Sequence, residues 1–131
     1  MPSTPPGTLY LIPAPLGEAG LASIPAAAID VLHRLEYFIA ERAKTARHYI
    51  KATLPPRALQ DLHIVELAQN PATEDWDALL TPLREGHDVG LLSEAGCPGI
   101  ADPGAEVVRR AHLSGIGVVP LAGPSSIVLA L

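Results

Sequence analysis

Three short segments of this 131-residue chain carry residue types suited to holding a ligand. The richest is Gly90-Leu91-Leu92-Ser93-Glu94-Ala95-Gly96-Cys97-Pro98-Gly99-Ile100-Ala101-Asp102-Pro103-Gly104. An apolar run stops, a loop of small residues follows, and the chain restarts as a helix at Asp-Pro-Gly. Loops of this build at the C-terminal end of a buried strand are where open α/β sheets bind ligands. Their glycines let backbone N–H and C=O groups come up to a ligand with no side chain between. Glu94, the one carboxylate beside that strand end, suits a ribose hydroxyl or a cation. Asp102 beside Pro103 reads as a helix N-cap. Cys97 has no base next to it in sequence and reads as a small loop residue, not an activated thiol.

The second segment, Pro13-Ala14-Pro15-Leu16-Gly17, is a Pro-stiffened turn after an apolar run. It lacks Gly-x-Gly-x-x-Gly, which disfavours a dinucleotide site, and both a ligand turn and a plain connection stay open for it. The third, Ala122-Gly123-Pro124-Ser125-Ser126, leads into a helix. There Ser125 and Ser126 either cap the helix or hydrogen-bond a ligand at its N-terminus. Apart from these loops, Lys44, Arg47, His48 and Lys51 share one helix face at offsets 0, 3, 4 and 7. That stripe is either a solvated face or a contact for an anionic partner such as RNA phosphate. The five histidines show no metal-ligand spacing, and no Ser/His/Asp or Cys/His set stands out. Neither a metal centre nor a nucleophilic triad is expected.

The elements that must position these loops follow from periodicity and punctuation. Leu9–Ile12, Tyr37–Ala40, Leu62–Leu67, Val89–Ser93 and Gly117–Leu121 are short apolar runs of strand length. Between them, Pro25 opens a helix with Ala28, Ile29, Leu32 and Leu35 in register. A polar helix spans about 43–53 and stops at Pro55-Pro56. Thr73 is the expected N-cap of a helix over 74–85, with Glu74, Asp75 and Asp77 in its first turn and Trp76, Leu79, Leu80 and Leu83 facing the sheet. Gly86 ends it. Val107, Val108 and Ala111 face inward from the helix after Asp102, and Gly115 closes that helix. This alternation predicts an α/β fold: a five-stranded, mostly parallel sheet with helices on both faces. Right-handed crossovers then put all strand-to-helix loops at one edge.

Composition bounds the rest. One domain of ordinary size is expected, with a short disordered lead over 1–6 and the α/β domain over 7–131. Hydrophobic residues make up 48% but aromatics only 4%, so the core is aliphatic. No apolar run approaches the roughly 18 residues of a membrane span, and the start has no signal-peptide pattern. A single cysteine fits a reducing cytoplasm. The net charge of −5 is not in itself a nucleic-acid grip, yet four of the nine Lys and Arg lie between Arg42 and Lys51. The last helix, Ser126–Leu131, is short, apolar and uncapped, which predicts a chain that continues into a C-terminal domain not present here.

In order and spacing the three loops resemble the tetrapyrrole (corrin/porphyrin) methylase superfamily, and within it the ribosomal RNA small subunit methyltransferase I group. The matching stretches are Gly7-Thr8-Leu9-Tyr10 through Gly17, Ala40-Glu41 with Thr45 and Arg47, Gly90 to Gly104, and Gly115-Ile116 through Gly123-Pro124-Ser125-Ser126. The resemblance implies the first domain of a two-domain S-adenosylmethionine-dependent methyltransferase, usually a homodimer, with the cofactor in the cleft between domains. On that pattern Pro15, Glu94, Ala95, Gly96, Cys97, Ser125 and Ser126 line the cofactor side. Lys44, Arg47 and Lys51 then fall to an RNA substrate, and the acceptor implied is a cytidine ribose 2′-oxygen in small-subunit rRNA. The chain departs from the group at Glu94, where Asp is usual, at Cys97, where Thr is usual, and across Glu41–Arg47. Two other readings are a non-catalytic domain for dimerisation or RNA contact, and a doubly wound sugar-phosphate enzyme using the helix N-termini at 102 and 125.

Overall fold

The computed structural model describes residues 4–13, 24–92 and 104–121. Five strands, β1 (Thr8–Ile12), β2 (Tyr37–Ala40), β3 (His63–Glu66), β4 (Val89–Leu92) and β5 (Gly117–Pro120), alternate with four helices, α1 (Ala26–Arg34), α2 (Ala43–Ala52), α3 (Trp76–Arg84) and α4 (Gly104–Leu113). The strands form one sheet in the order β3-β2-β4-β1-β5. All four pairings among the described residues are parallel.

The strands read as unbroken apolar runs because both faces of the sheet are covered. Alternate residues enter two separate cores. Leu9, Ile39, Val89 and Leu91 pack with Leu79, Leu80 and Leu83 of α3 and with Val107 and Ala111 of α4. Ile12, Phe38, Ala40 and Leu92 pack with Leu32 of α1 and with Ala46, Tyr49 and Ile50 of α2. Gly90 lies on the α1/α2 face of β4, where a Cβ would come within 3.0 Å of Ile12, Leu35 and Phe38. Their bulk is accommodated by its missing side chain. The two edge strands are less covered: Val65 of β3 is 49% exposed and Val119 of β5 41%.

The strand positions and the start of α1 agree with the periodicity to within one residue, whereas the start of α3 does not. Pro25 is the N-cap of α1, one position before the first helical residue. Thr73 does not cap α3. Its N–H (3.0 Å) and hydroxyl (2.8 Å) both donate to the Asn70 carbonyl, closing a 3-10 turn over Pro71–Thr73. Glu74 is also spent, accepting from the Ala68 N–H at 2.8 Å. Asp75 takes the cap, accepting from the Ala78 N–H at 3.1 Å, so only Asp77 is acidic within the first turn.

The end of α2 holds the one non-glycine residue with positive φ among the described residues. Leu54, at φ +56°, is 85% exposed and sits one residue past the Thr53 C-cap, a position that favours glycine. A left-handed leucine costs about 1–2 kcal/mol, and so exposed a side chain recovers little through burial. Leu54→Gly, whose unfolded chain is more flexible, is therefore expected to gain about 0.5–1 kcal/mol net. Urea denaturation should show a higher midpoint at unchanged slope; a lower midpoint would contradict this account of the turn.

Candidate functional site

Strand order makes one edge of this sheet suited to ligands. From β1 the chain crosses to β2 through α1, and from β4 it crosses to β5 through α4. These helices lie on opposite faces, although β1 and β4 are hydrogen-bonded neighbours with Ile12 paired to Leu92. The two connections therefore leave adjacent strand ends and diverge, the switch-point arrangement at which open α/β sheets bind ligands. The end of β5 joins the row, since Leu11 pairs with Pro120 and its carbonyl accepts from the Leu121 N–H at 3.0 Å. The three segments singled out by composition thus all depart from the contiguous ends of β4, β1 and β5. The strand-end side chains Ile12 and Leu92 are buried and apolar.

Sequence-predicted residues Pro15, Glu94, Ala95, Gly96, Cys97, Ser125 and Ser126, like the Asp102 cap, lie outside the described residues. Lys44, Arg47 and Lys51 lie within them, exposed along α2 while Ala46, Tyr49 and Ile50 turn into the core. They have no carboxylate partner among the described residues. The opposite side of the domain differs. Arg84 pairs with Asp77 at 3.3 Å, and Arg109 and Arg110 both reach Glu106 at 2.7 and 3.0 Å. Hydrogen bonds from Arg109 and then Arg110 hold the Glu106 carboxyl down at about 2.

Two side chains that position this edge were not singled out by the sequence reading. Tyr49, seven per cent exposed, donates its hydroxyl to the Pro13 carbonyl at 2.9 Å. Burial pushes its phenol up to about 12, so it stays protonated as the donor. It fixes the chain where it leaves β1. The apolar spacing Ala46, Tyr49, Ile50 marks this buried face, although the helix as a whole reads as polar. Glu66, at the end of β3, accepts from the Ala43 N–H at 2.9 Å and satisfies an otherwise orphan donor in the first turn of α2. No local pattern signals it, because the two residues lie 23 positions apart.

Glu66 also lines an open cleft of about 340 Å³ with Glu41, Arg42, Leu67, Ala68 and Gln69. The cleft adjoins the switch point: the Glu41 N–H donates to the Leu92 carbonyl at 3.2 Å, and the Leu67 N–H to the Ala40 carbonyl at 2.8 Å. Its lining, with two carboxylates, a guanidinium and an amide, suits a polar ligand with both donors and acceptors. Among the histidines, His33 Nε2 lies 3.0 Å from the Thr53 hydroxyl, and His48, His63, His87 and His112 are exposed. No group of three His, Cys, Asp or Glu is arranged for a metal among the described residues. No helix among them is long and apolar enough to cross a membrane.

A sequence model of the tetrapyrrole (corrin/porphyrin) methylases matches residues 8–131. The chain belongs to this family. Curated relatives in the methylase family include proteins named ribosomal RNA small subunit methyltransferase I. The one from Leptospira biflexa is 34% identical over 128 residues, covering 95% of this chain and 49% of the relative. That from Escherichia coli O157:H7 is 36% identical over 125 residues, covering 95% and 41%. That from Xylella fastidiosa is 34% identical over 126 residues, covering 96% and 44%. The chain thus spans less than half the length of these relatives.

Proposed function

We propose that these residues form the first domain of an S-adenosylmethionine-dependent methyltransferase of a two-domain, homodimeric, cytoplasmic kind that methylates a cytidine ribose 2′-oxygen in small-subunit rRNA. The observation that carries this reading is the switch point at the ends of β4, β1 and β5, within a chain of the methylase family. The names of the relatives support rRNA as the acceptor.

Membership of the methylase family supports S-adenosylmethionine as the cofactor. Ile12 and Leu92 anchor the strand ends in the core, and in the segments that follow Pro15, Glu94, Ala95, Gly96, Cys97, Ser125 and Ser126 are the residues that would hold S-adenosylmethionine. When bound, that cofactor supplies a methyl group already activated on a sulfonium. The protein's task is then to hold two reactants in line and keep water out, which needs few ionisable groups. Tyr49 serves this by fixing the Pro13 carbonyl at the root of the first segment. Lys44, Arg47 and Lys51 serve the other reactant by meeting RNA phosphates.

Calorimetry of the full-length protein with S-adenosylhomocysteine tests the reading. Binding is expected, with no heat from simple sugar phosphates; the reverse pattern would favour a sugar-phosphate enzyme, and silence with both a non-catalytic domain. Tyr49→Phe is expected to leave the Pro13 carbonyl without its donor, lower stability by about 1 kcal/mol and weaken S-adenosylhomocysteine severalfold. Wild-type affinity in that variant would show that the Tyr49 anchor does not position the cofactor segment.

A further inference from the structure

Charge on this domain is segregated beyond the α2 stripe. Residues 34–57 hold six of the nine Lys and Arg, against two of the fourteen acidic residues, a net +4 in a chain of net −5. Helix α2 carries that charge from one edge of the sheet to the other. Its first turn is tied to the end of β3 through Glu66. Its far end meets α1, where His33 Nε2 contacts the Thr53 hydroxyl. Ten residues of helix cover about 15 Å. The basic run continues there, as Arg57 reaches the Arg34 carbonyl and the Glu36 carboxylate, both at 3.3 Å.

At this second edge, remote from the switch point, three rings form a ladder across the strands. Tyr37 stacks on His63 with centroids 4.7 Å apart and an interplanar angle of 14°, and lies tilted against His87 at 4.6 Å and 31°. Both imidazoles are exposed. Beside them opens a second cleft, of about 250 Å³, lined by Tyr37, His87, Asp88, Gly86 and Arg34–Glu36. Asp88 is engaged, its Oδ1 accepting from the Thr8 N–H at 2.8 Å. Arg34 has no carboxylate partner among the described residues; its guanidinium stands 5.8 Å from the Tyr10 ring centroid.

We infer that the RNA meeting Lys44, Arg47 and Lys51 continues over α2 to this far edge, where one unstacked base seats in the cleft against His87 while its phosphate meets Arg34. This subsite rests on the RNA reading above and extends it to the edge opposite the reaction. Single-stranded RNA is held in this way elsewhere, by a basic groove along the backbone and aromatic or imidazole faces under the bases. Tyr37 packs against the α3/α4 core, so the ladder stands where the α2 face gives way to that layer. Among the described residues Arg84, Arg109 and Arg110 of that layer are paired with Asp77 and Glu106, whereas Lys44, Arg47, Lys51 and Arg34 have no carboxylate partner.

The test is fluorescence anisotropy of the full-length protein with a labelled 12-nucleotide single-stranded RNA, alongside calorimetry with S-adenosylhomocysteine. His87→Ala is expected to weaken RNA by about fivefold or more, from the loss of one stacked base. His87→Phe, which keeps a stacking face, should restore it. Arg34→Gln should weaken RNA and reduce the salt dependence, while Arg109→Gln on the opposite side changes neither. S-adenosylhomocysteine affinity should stay at wild type throughout. RNA affinity unchanged in His87→Ala overturns the far-edge subsite and leaves the methyltransferase reading standing. Wild-type protein that binds S-adenosylhomocysteine but not RNA overturns both the subsite and the RNA reading.

Discussion

Gly7→Ala is expected to lower the stability of the domain by about 3 kcal/mol, at the upper end of overpacking effects. A Cβ at this position would overlap the His87 carbonyl and stand 2.9 Å from the Asp88 nitrogen. Both obstacles are backbone, so no side-chain rotation relieves the clash. The Gly7 N–H also donates to the Leu83 carbonyl at 2.7 Å, and the next N–H, of Thr8, to Asp88 Oδ1 at 2.8 Å. These bonds seat the start of β1 between β4 and β5, and any shift there disturbs two strand pairings at once. Gly117→Ala is the matched control. Nothing lies within 4 Å of its Cβ position, and its stability should stay within about 0.5 kcal/mol of wild type. Urea denaturation of the two variants reads the difference. Equal midpoints would show that the β1 entry is not the tight crossing described.

The second large effect concerns RNA. Replacing Lys44, Arg47 and Lys51 together by glutamine in the full-length protein removes three positive charges from the exposed face of α2. If each meets a phosphate, the slope of log affinity against log salt should become shallower by about 2 for a single-stranded partner. Near 0.1 M salt, affinity should fall by about tenfold or more. The three side chains lie outside the core that Ala46, Tyr49 and Ile50 enter, so stability and S-adenosylhomocysteine binding should hold. A wild-type salt slope in the triple variant would remove RNA from the role of α2 and return the stripe to a solvated face.

These effects rest on features of unequal visibility in the sequence. Strands were legible because a parallel sheet buried on both faces writes itself as short runs such as Tyr37–Ala40, which begins and ends where the apolar residues do. The start of α3 was not, because Thr73, Glu74 and Asp75 are all competent caps. The choice fell to contacts with Asn70 and Ala68 that lie outside the helix. The candidate site divides in the same way. Composition picked out the three loop segments, and strand order supplied what composition cannot, that their points of departure are neighbours. Tyr49 and Glu66 stayed hidden because their partners, Pro13 and Ala43, are 36 and 23 residues away. The glycine at position 7 was visible, but the reason for it, a carbonyl 80 residues further on, was not.

The proposed methylation of small-subunit rRNA can be read by mass mapping of that RNA. The RNA would be isolated from a strain with the gene deleted and from the same strain complemented. One cytidine is expected to lose a ribose 2′-O-methyl group on deletion and to regain it on complementation, but not when the complementing protein carries the Lys44, Arg47 and Lys51 replacements. An unchanged methylation map in the deletion strain would contradict the proposal.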